Sequence, residues 1–120
     1  MDYTEVETVC NATIIKGKTD GKFGVLSKEM NSIIEYPKYD AYSILPKQEN
    51  TKQENNRYIV FVFDGKKGIF DAVKVEFIQP CMQLHDIKIN TQKKVIEAKK
   101  PFRLFNLIKL WDWRVEIPIE

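Results

Sequence analysis

Arg57-Tyr58-Ile59-Val60-Phe61-Val62-Phe63-Asp64-Gly65-Lys66-Lys67-Gly68-Ile69-Phe70-Asp71 is the stretch that decides the fold. From Tyr58 to Phe63 every residue is β-branched or aromatic, which suits a well-buried strand. Asp64-Gly65 ends it, because aspartate followed by glycine accepts the positive φ angles of a tight hairpin. Lys66 to Asp71 then returns as a second strand. Val73, Val75 and Phe77 alternate and predict a third. Pro80 is expected to stop it, since proline donates no ladder hydrogen bond.

Working outward, the same grammar recurs upstream. Asp20-Gly21-Lys22-Phe23-Gly24-Val25 resembles Asp64-Gly65-Lys66-Lys67-Gly68-Ile69, with Gly21 and Gly65 44 residues apart. Ser32-Ile33-Ile34-Glu35-Tyr36-Pro37 resembles Glu76-Phe77-Ile78-Gln79-Pro80, with Pro37 and Pro80 43 apart. The first copy therefore predicts strands at Ala12 to Lys16, Phe23 to Ser27 and Ser32 to Glu35, ended by Pro37. A partial third copy runs from Ile87 to Val95-Ile96-Glu97, with Asp86 where Gly24 and Gly68 stand.

The reading is one mainly β domain over residues 1–120, of stacked antiparallel meanders. Its repeat-like units lie near 10–46, 57–83 and, in part, 84–100. Residues 47–56 hold no apolar side chain and predict a mobile hairpin loop. Trp111, Trp113, Val115, Ile117 and Ile119 alternate with polar residues and Pro118, the pattern of a strand with one buried face, near a sheet margin. Phe102 to Leu110 reads either as strand or as a short helix begun by Pro101.

At Gly21-Lys22-Phe23-Gly24-Val25-Leu26 and Ile33-Ile34-Glu35-Tyr36-Pro37-Lys38-Tyr39-Asp40 the chain resembles the WG-repeat family of bacterial proteins. The second copy matches at Gly65-Lys66, Gly68-Ile69 and Pro80. The signature tryptophan is replaced by Phe23 in the first copy and by Lys67 in the second. The resemblance spans roughly residues 10 to 97. It implies short β-meanders in series and an interaction module without catalytic residues. Small proteins with such units occur beside bacterial toxins and phage-defence genes, which implies an immunity or inhibitor role.

Composition narrows the chemistry. With 19 basic and 17 acidic residues the net charge is +2, which supports neither a general polyanion binder nor an acidic mimic. Cys10 and Cys81 form a lone pair, and the N-terminus is acidic without an apolar core. These features predict reduced thiols in a cytoplasmic protein without a secretory signal or membrane anchor. The single histidine, His85, precedes Asp86; on a regular strand the two point to opposite faces, so no dyad is expected. Cys81-x-x-x-His85 is half a metal site, and Gly65-Lys66-Lys67-Gly68 lacks the spacing of a phosphate loop. No enzyme activity, metal or cofactor is expected.

Two patches are candidates for binding. The tyrosines Tyr36, Tyr39 and Tyr42 flank Pro37 and are placed either to anchor a partner or to plug turns with their hydroxyls. The stretch Lys88, Lys93, Lys94, Lys99, Lys100, Arg103 and Lys109 is basic and interleaved with Phe102 and Phe105. It reads as a solvated face, as a surface that steers an acidic protein through Lys99, Lys100 and Arg103, or as a nucleic-acid contact over 88–109. The favoured expectation is a protein-binding module, most concretely a cytoplasmic immunity protein or toxin inhibitor. A small nucleic-acid-binding β domain is the alternative.

Overall fold

The computed structural model describes residues 2–45, 57–90, 94–104 and 108–118, with side chains at 2–45, 57–90, 94–100 and 115–118. Their strands are β1 (Tyr3–Val9), β2 (Ala12–Gly17), β3 (Phe23–Ser27), β4 (Ser32–Tyr39), β5 (Ala41–Ile44), β6 (Tyr58–Phe63), β7 (Lys66–Asp71), β8 (Glu76–Met82), β9 (His85–Asn90), β10 (Val95–Leu104) and β11 (Ile108–Pro118). They form three antiparallel meanders in sequence order: β1 to β4, β5 to β8 and β9 to β11. The protein is mainly β, and among the described residues there is no helix to cross a membrane. The expected loop at 47–56 lies outside the described residues.

The middle sheet explains the unbroken apolar run. Successive side chains of β6 point to opposite faces. Ile59 and Phe61 join a cluster with Val9, Ala12, Ile14, Val25 and Tyr39 of the first sheet, while Tyr58 and Val60 join Ile96 and Ile117 of the third. Phe70 and Ile69 of β7 divide in the same way. Both faces of this sheet are covered, so its strands lose the polar-apolar alternation of a half-buried strand.

The two copies agree in register as well as in residue type. Val25 pairs with Glu35 and Ile69 with Gln79, and Leu26 pairs with Ile33 and Phe70 with Phe77. Beyond these pairs both ladders slip by a β-bulge, on β4 and on β8. The repeat spacing drops from 44 to 43 within that bulge, at Tyr36, the extra residue of the first copy. Asp64-Gly65 is a two-residue hairpin with φ of 51° and 76°, both left-handed. Asn31 before β4, Val75 before β8 and Lys94 before β10 share the same left-handed φ of 51–57°.

The structure corrects or completes the sequence reading at four places. The third strand of the second copy begins at Glu76, because Ala72 to Val75 form its turn, and Pro80 lies inside β8. Likewise Pro37 lies inside β4. Both strands are sheet edges, where a missing N–H costs no ladder bond. Of the two readings for Phe102 to Leu110, strand holds at 102–104 and 108–110: Pro101 starts no helix but sits in β10 opposite Asp112, beyond the last β9 pairing at Lys99 and His85. Finally, the acidic N-terminus forms β1. Thr4 to Thr8 are all exposed and only Val9 at its end reaches the core, so this strand shows no hydrophobic period.

Candidate functional site

The bulges of β4 and β8 shape the site. Each lies over a glycine of the preceding strand. A Cβ at Gly24 would stand 2.4 Å from the carbonyl oxygen of Glu35, and one at Gly68 2.9 Å from the backbone nitrogen of Cys81. That contact is the physical reason for the second glycine of each copy: the bulged edge approaches too closely for any side chain.

Between the two bulged edges lies an apolar cleft of about 260 Å³. Lys38 and Tyr39 of β4 form one wall; Phe77, Pro80 and Cys81 of β8 form the other, with Phe63 at the end of β6. Phe63 is 43% exposed and its ring meets Tyr39 edge-on at 6.2 Å between centroids. Lys38 lies 5.4 Å from the Tyr39 ring centroid and 3.6 Å from the Glu35 carboxylate. The Tyr39 hydroxyl donates to Glu35 at 2.7 Å. Burial first, and this carboxylate second, push the Tyr39 phenol far above its usual range. Burial also raises the Cys81 thiol; Lys38 pulls it down without reversing the shift. A thiol so placed stays protonated at neutral pH and is a poor nucleophile.

The three candidate tyrosines separate. Tyr36, the bulge residue, is 62% exposed. Tyr39 is core, packed on Phe61 and Phe77. Tyr42 stacks edge-on against Phe23 at 5.0 Å and its hydroxyl donates to Glu7, tying β5 to the first sheet. Desolvation, then that hydrogen bond, raise its phenol to about 12. Near this seam Asp40 accepts from the Lys22 ammonium and from the Asp64 backbone N–H at 2.9 Å, joining the glycine turns of both copies. Lys22 holds the Asp40 carboxyl below the usual range and is itself raised by it.

The basic candidates also separate. Lys99 and Lys100 are exposed neighbours on β10, and the Lys99 ammonium lies 3.4 Å from Asp86. Lys88 stands directly opposite Glu97. The side chain of Arg103 lies outside the described residues, as does Lys93. His85 and Asp86 correct the expectation of opposite faces. Asp86 is left-handed at φ 52°, which breaks the alternation and brings its carboxylate to 3.7 Å from the His85 imidazole. Among the described residues no group of three His, Cys, Asp or Glu side chains is placed to hold a metal ion.

Sequence reading missed the cleft residues Lys38, Phe63, Phe77, Pro80 and Cys81. The available signal was Phe63, an aromatic at the strand end beside a tight turn, where little can cover it. No protein-family model, curated protein or solved structure matches the chain.

Proposed function

We propose that the protein is a non-catalytic protein-binding module whose cleft between β4 and β8 receives an apolar side chain of its partner. The observation that carries this reading is Phe63, held 43% exposed on the wall of an apolar cleft of about 260 Å³. That volume accommodates one large side chain, the size of an interface anchor. Lys38 at the rim favours an acidic residue beside the anchor. Tyr36, exposed on the adjoining bulge, extends the contact. The sharpest version is a bacterial cytoplasmic immunity protein or inhibitor that blocks a toxin or effector by occupying its surface, as the WG-like signature suggests. In that version Lys99, Lys100 and Arg103 steer the approach of an acidic partner.

The test is affinity capture with the parent chain, followed by binding kinetics on the captured protein. Phe63→Ser is expected to speed dissociation at least about tenfold, and Lys38→Glu to slow association. A partner that binds both variants with parental rates overturns the reading. Retention on an immobilised polyanion that falls steeply with salt supports instead the nucleic-acid reading of residues 88–109.

A further inference from the structure

Phe63 is a large apolar side chain, 43% exposed, beside an apolar cleft that its own ring could fill. Burying such a ring is favourable, so its place on the wall needs a cause. The peptide groups on both sides of Phe63 are bonded to one residue, Asp40. The Asp40 N–H donates to the Val62 carbonyl at 2.7 Å, and the Asp40 carboxylate accepts from the Asp64 N–H at 2.9 Å. The second bond has no substitute within the hairpin. Phe63 pairs with Lys66, so Asp64 and Gly65 are the two turn residues, and the N–H of the first has no acceptor in its own ladder.

The carboxylate is itself held. Its other oxygen receives the Lys22 ammonium. Lys22 is fixed at its backbone: its N–H donates to Asp20 Oδ1 at 2.9 Å, and its carbonyl accepts from the Gly17 N–H at 2.8 Å. The Lys22 hydrogen bond, and then the Asp64 N–H, keep the Asp40 carboxyl below its usual range, so the acceptor stays ionised at neutral pH. The repeat does not demand this arrangement. In the second copy Gln83 stands at the place of Asp40, although Lys66 is kept at the place of Lys22. Strands β7 and β8 form the same bulged ladder there, so the carboxylate is no requirement of the meander.

We infer that Asp40, fixed by Lys22, is a positioning residue of the cleft: it clamps the peptide groups on either side of Phe63 and holds the ring on the wall, so that the cleft stands open before a partner arrives. This rests on the cleft between β4 and β8 being the binding site. The clamp acts by preorganisation. A cleft that must first expel its own Phe63 binds only through the open fraction of molecules, and its apparent affinity falls by that fraction.

The test uses the whole chain without a partner, so it holds or fails independently of the binding kinetics of Phe63→Ser. Asp40→Ala removes the side-chain acceptor, and the ion pair it loses lies at the surface, so the fold tolerates the change. Solvent exchange of the Asp64 amide, followed by NMR, is expected to quicken about tenfold, while the Phe61 amide in the middle of β6 stays as protected as in the parent. The released Phe63 ring is expected to turn into the cleft and cover Cys81. Labelling of Cys81 by iodoacetamide should then slow several-fold relative to Cys10, which is exposed in the β1–β2 turn. Asp40→Asn removes the charge but keeps an acceptor, and is expected to return both readouts close to parental values. A parental Asp64 exchange rate in Asp40→Ala overturns the inference, as does Cys81 labelling that is unchanged or faster. So does an Asp40→Asn variant that behaves like Asp40→Ala, or a loss of protection that spreads to Phe61, the mark of a general support of the fold.

Discussion

Gly24→Ala is expected to damage the fold more than any other glycine-to-alanine change in the chain. The added Cβ would lie 2.4 Å from the Glu35 carbonyl oxygen, 2.8 Å from the Pro37 nitrogen and 2.9 Å from the Tyr36 carbonyl carbon. All three are backbone atoms of the bulge, so no rotamer change relieves the overlap. Overpacking costs about 1–3 kcal/mol, and this site belongs at the upper end. At Gly68 the closest approaches are 2.9 Å to the Cys81 backbone nitrogen and Sγ and 3.0 Å to the Gln79 carbonyl oxygen; Sγ can rotate away and the backbone contacts are less close than the 2.4 Å at Gly24, so about 1–2 kcal/mol is expected. Gly65 differs in kind. Nothing lies within 4 Å of an added Cβ there, but φ is +76°. The left-handed backbone costs an alanine about 1–2 kcal/mol, and the stiffer unfolded chain returns about half of that. The predicted order of loss is Gly24, then Gly68, then Gly65. At about 4 °C per kcal/mol for a domain of this size, Gly24→Ala melts about 12 °C below the parent and Gly65→Ala about 4 °C below. Urea titration followed by circular dichroism, with unchanged m-values, gives the ranking. If Gly65→Ala costs as much as Gly24→Ala, or Gly24→Ala unfolds with the parent, the bulge is not what the glycine serves.

Other expectations follow from the same contacts. Asp71 is 2% exposed and receives Arg57 at 2.8 and 2.6 Å, with the Val73 N–H at 2.9 Å; Arg57→Ala strands this carboxylate and is expected to cost about 3 kcal/mol. Burial alone would raise the Asp71 carboxyl, but Arg57 and the backbone N–H groups of Val73 and Lys74 outweigh it, leaving the folded value below the unfolded one. Its contribution is thus complete above the unfolded value near ~4 and is lost as pH falls through the folded value; urea midpoints should drop in that acid range, and Asp71→Asn should flatten the drop. Tyr42, raised to about 12 in the folded chain, favours folding below its unfolded value near ~10; that contribution is lost between the two, so absorbance at alkaline pH should show Tyr42→Phe removing one late-titrating phenol. Lys94 is exposed at φ 57°, so Lys94→Gly should stabilise by about 0.5 kcal/mol, and equal or lower stability would contradict the strain assigned there.

The parts of the fold legible in the sequence are those with local causes. Asp64-Gly65 marks its hairpin because two left-handed residues in succession need that chemistry. The run from Tyr58 to Phe63 is readable as buried strand because no polar face interrupts it. Both glycine motifs and both prolines fall at equivalent places in the ladders, so the repeat was visible before its geometry was. Other features depended on neighbours distant in sequence. Pro37 and Pro80 look like strand ends until β4 and β8 are known to be sheet edges. Val75 looks like part of an alternating strand, yet it occupies the left-handed turn position that Asn31 fills in the first copy. Strand β1 has no hydrophobic period because only its last residue, Val9, is buried. His85 and Asp86 defied alternation through one left-handed residue that nothing nearby announces.

The cleft was illegible for a deeper reason, and that reason bears on its use. It forms where overlapping stretches of the two copies, Lys38-Tyr39 and Pro80-Cys81, face each other across the two bulged edges. In the repeat alignment Lys38 corresponds to Cys81 and Pro37 to Pro80. A pair of identical copies would place like residues at the one equivalent position that both walls share, Lys38 and Cys81. Divergence has instead set a lysine and a tyrosine against a proline and a cysteine, with Phe63 between them. One wall therefore carries a cation and a phenol tied to Glu35, while the other offers apolar surface alone. A binding site needs that asymmetry to hold a partner in one orientation, because an apolar anchor by itself fixes depth and not direction. The glycines, bulges and prolines, kept in both copies, build the edges. The residues that differ between the copies give the cleft its polarity. Substituting Lys38 by cysteine, its counterpart in the second copy, should then leave stability nearly unchanged while weakening partner binding; equal affinity would place the contact elsewhere.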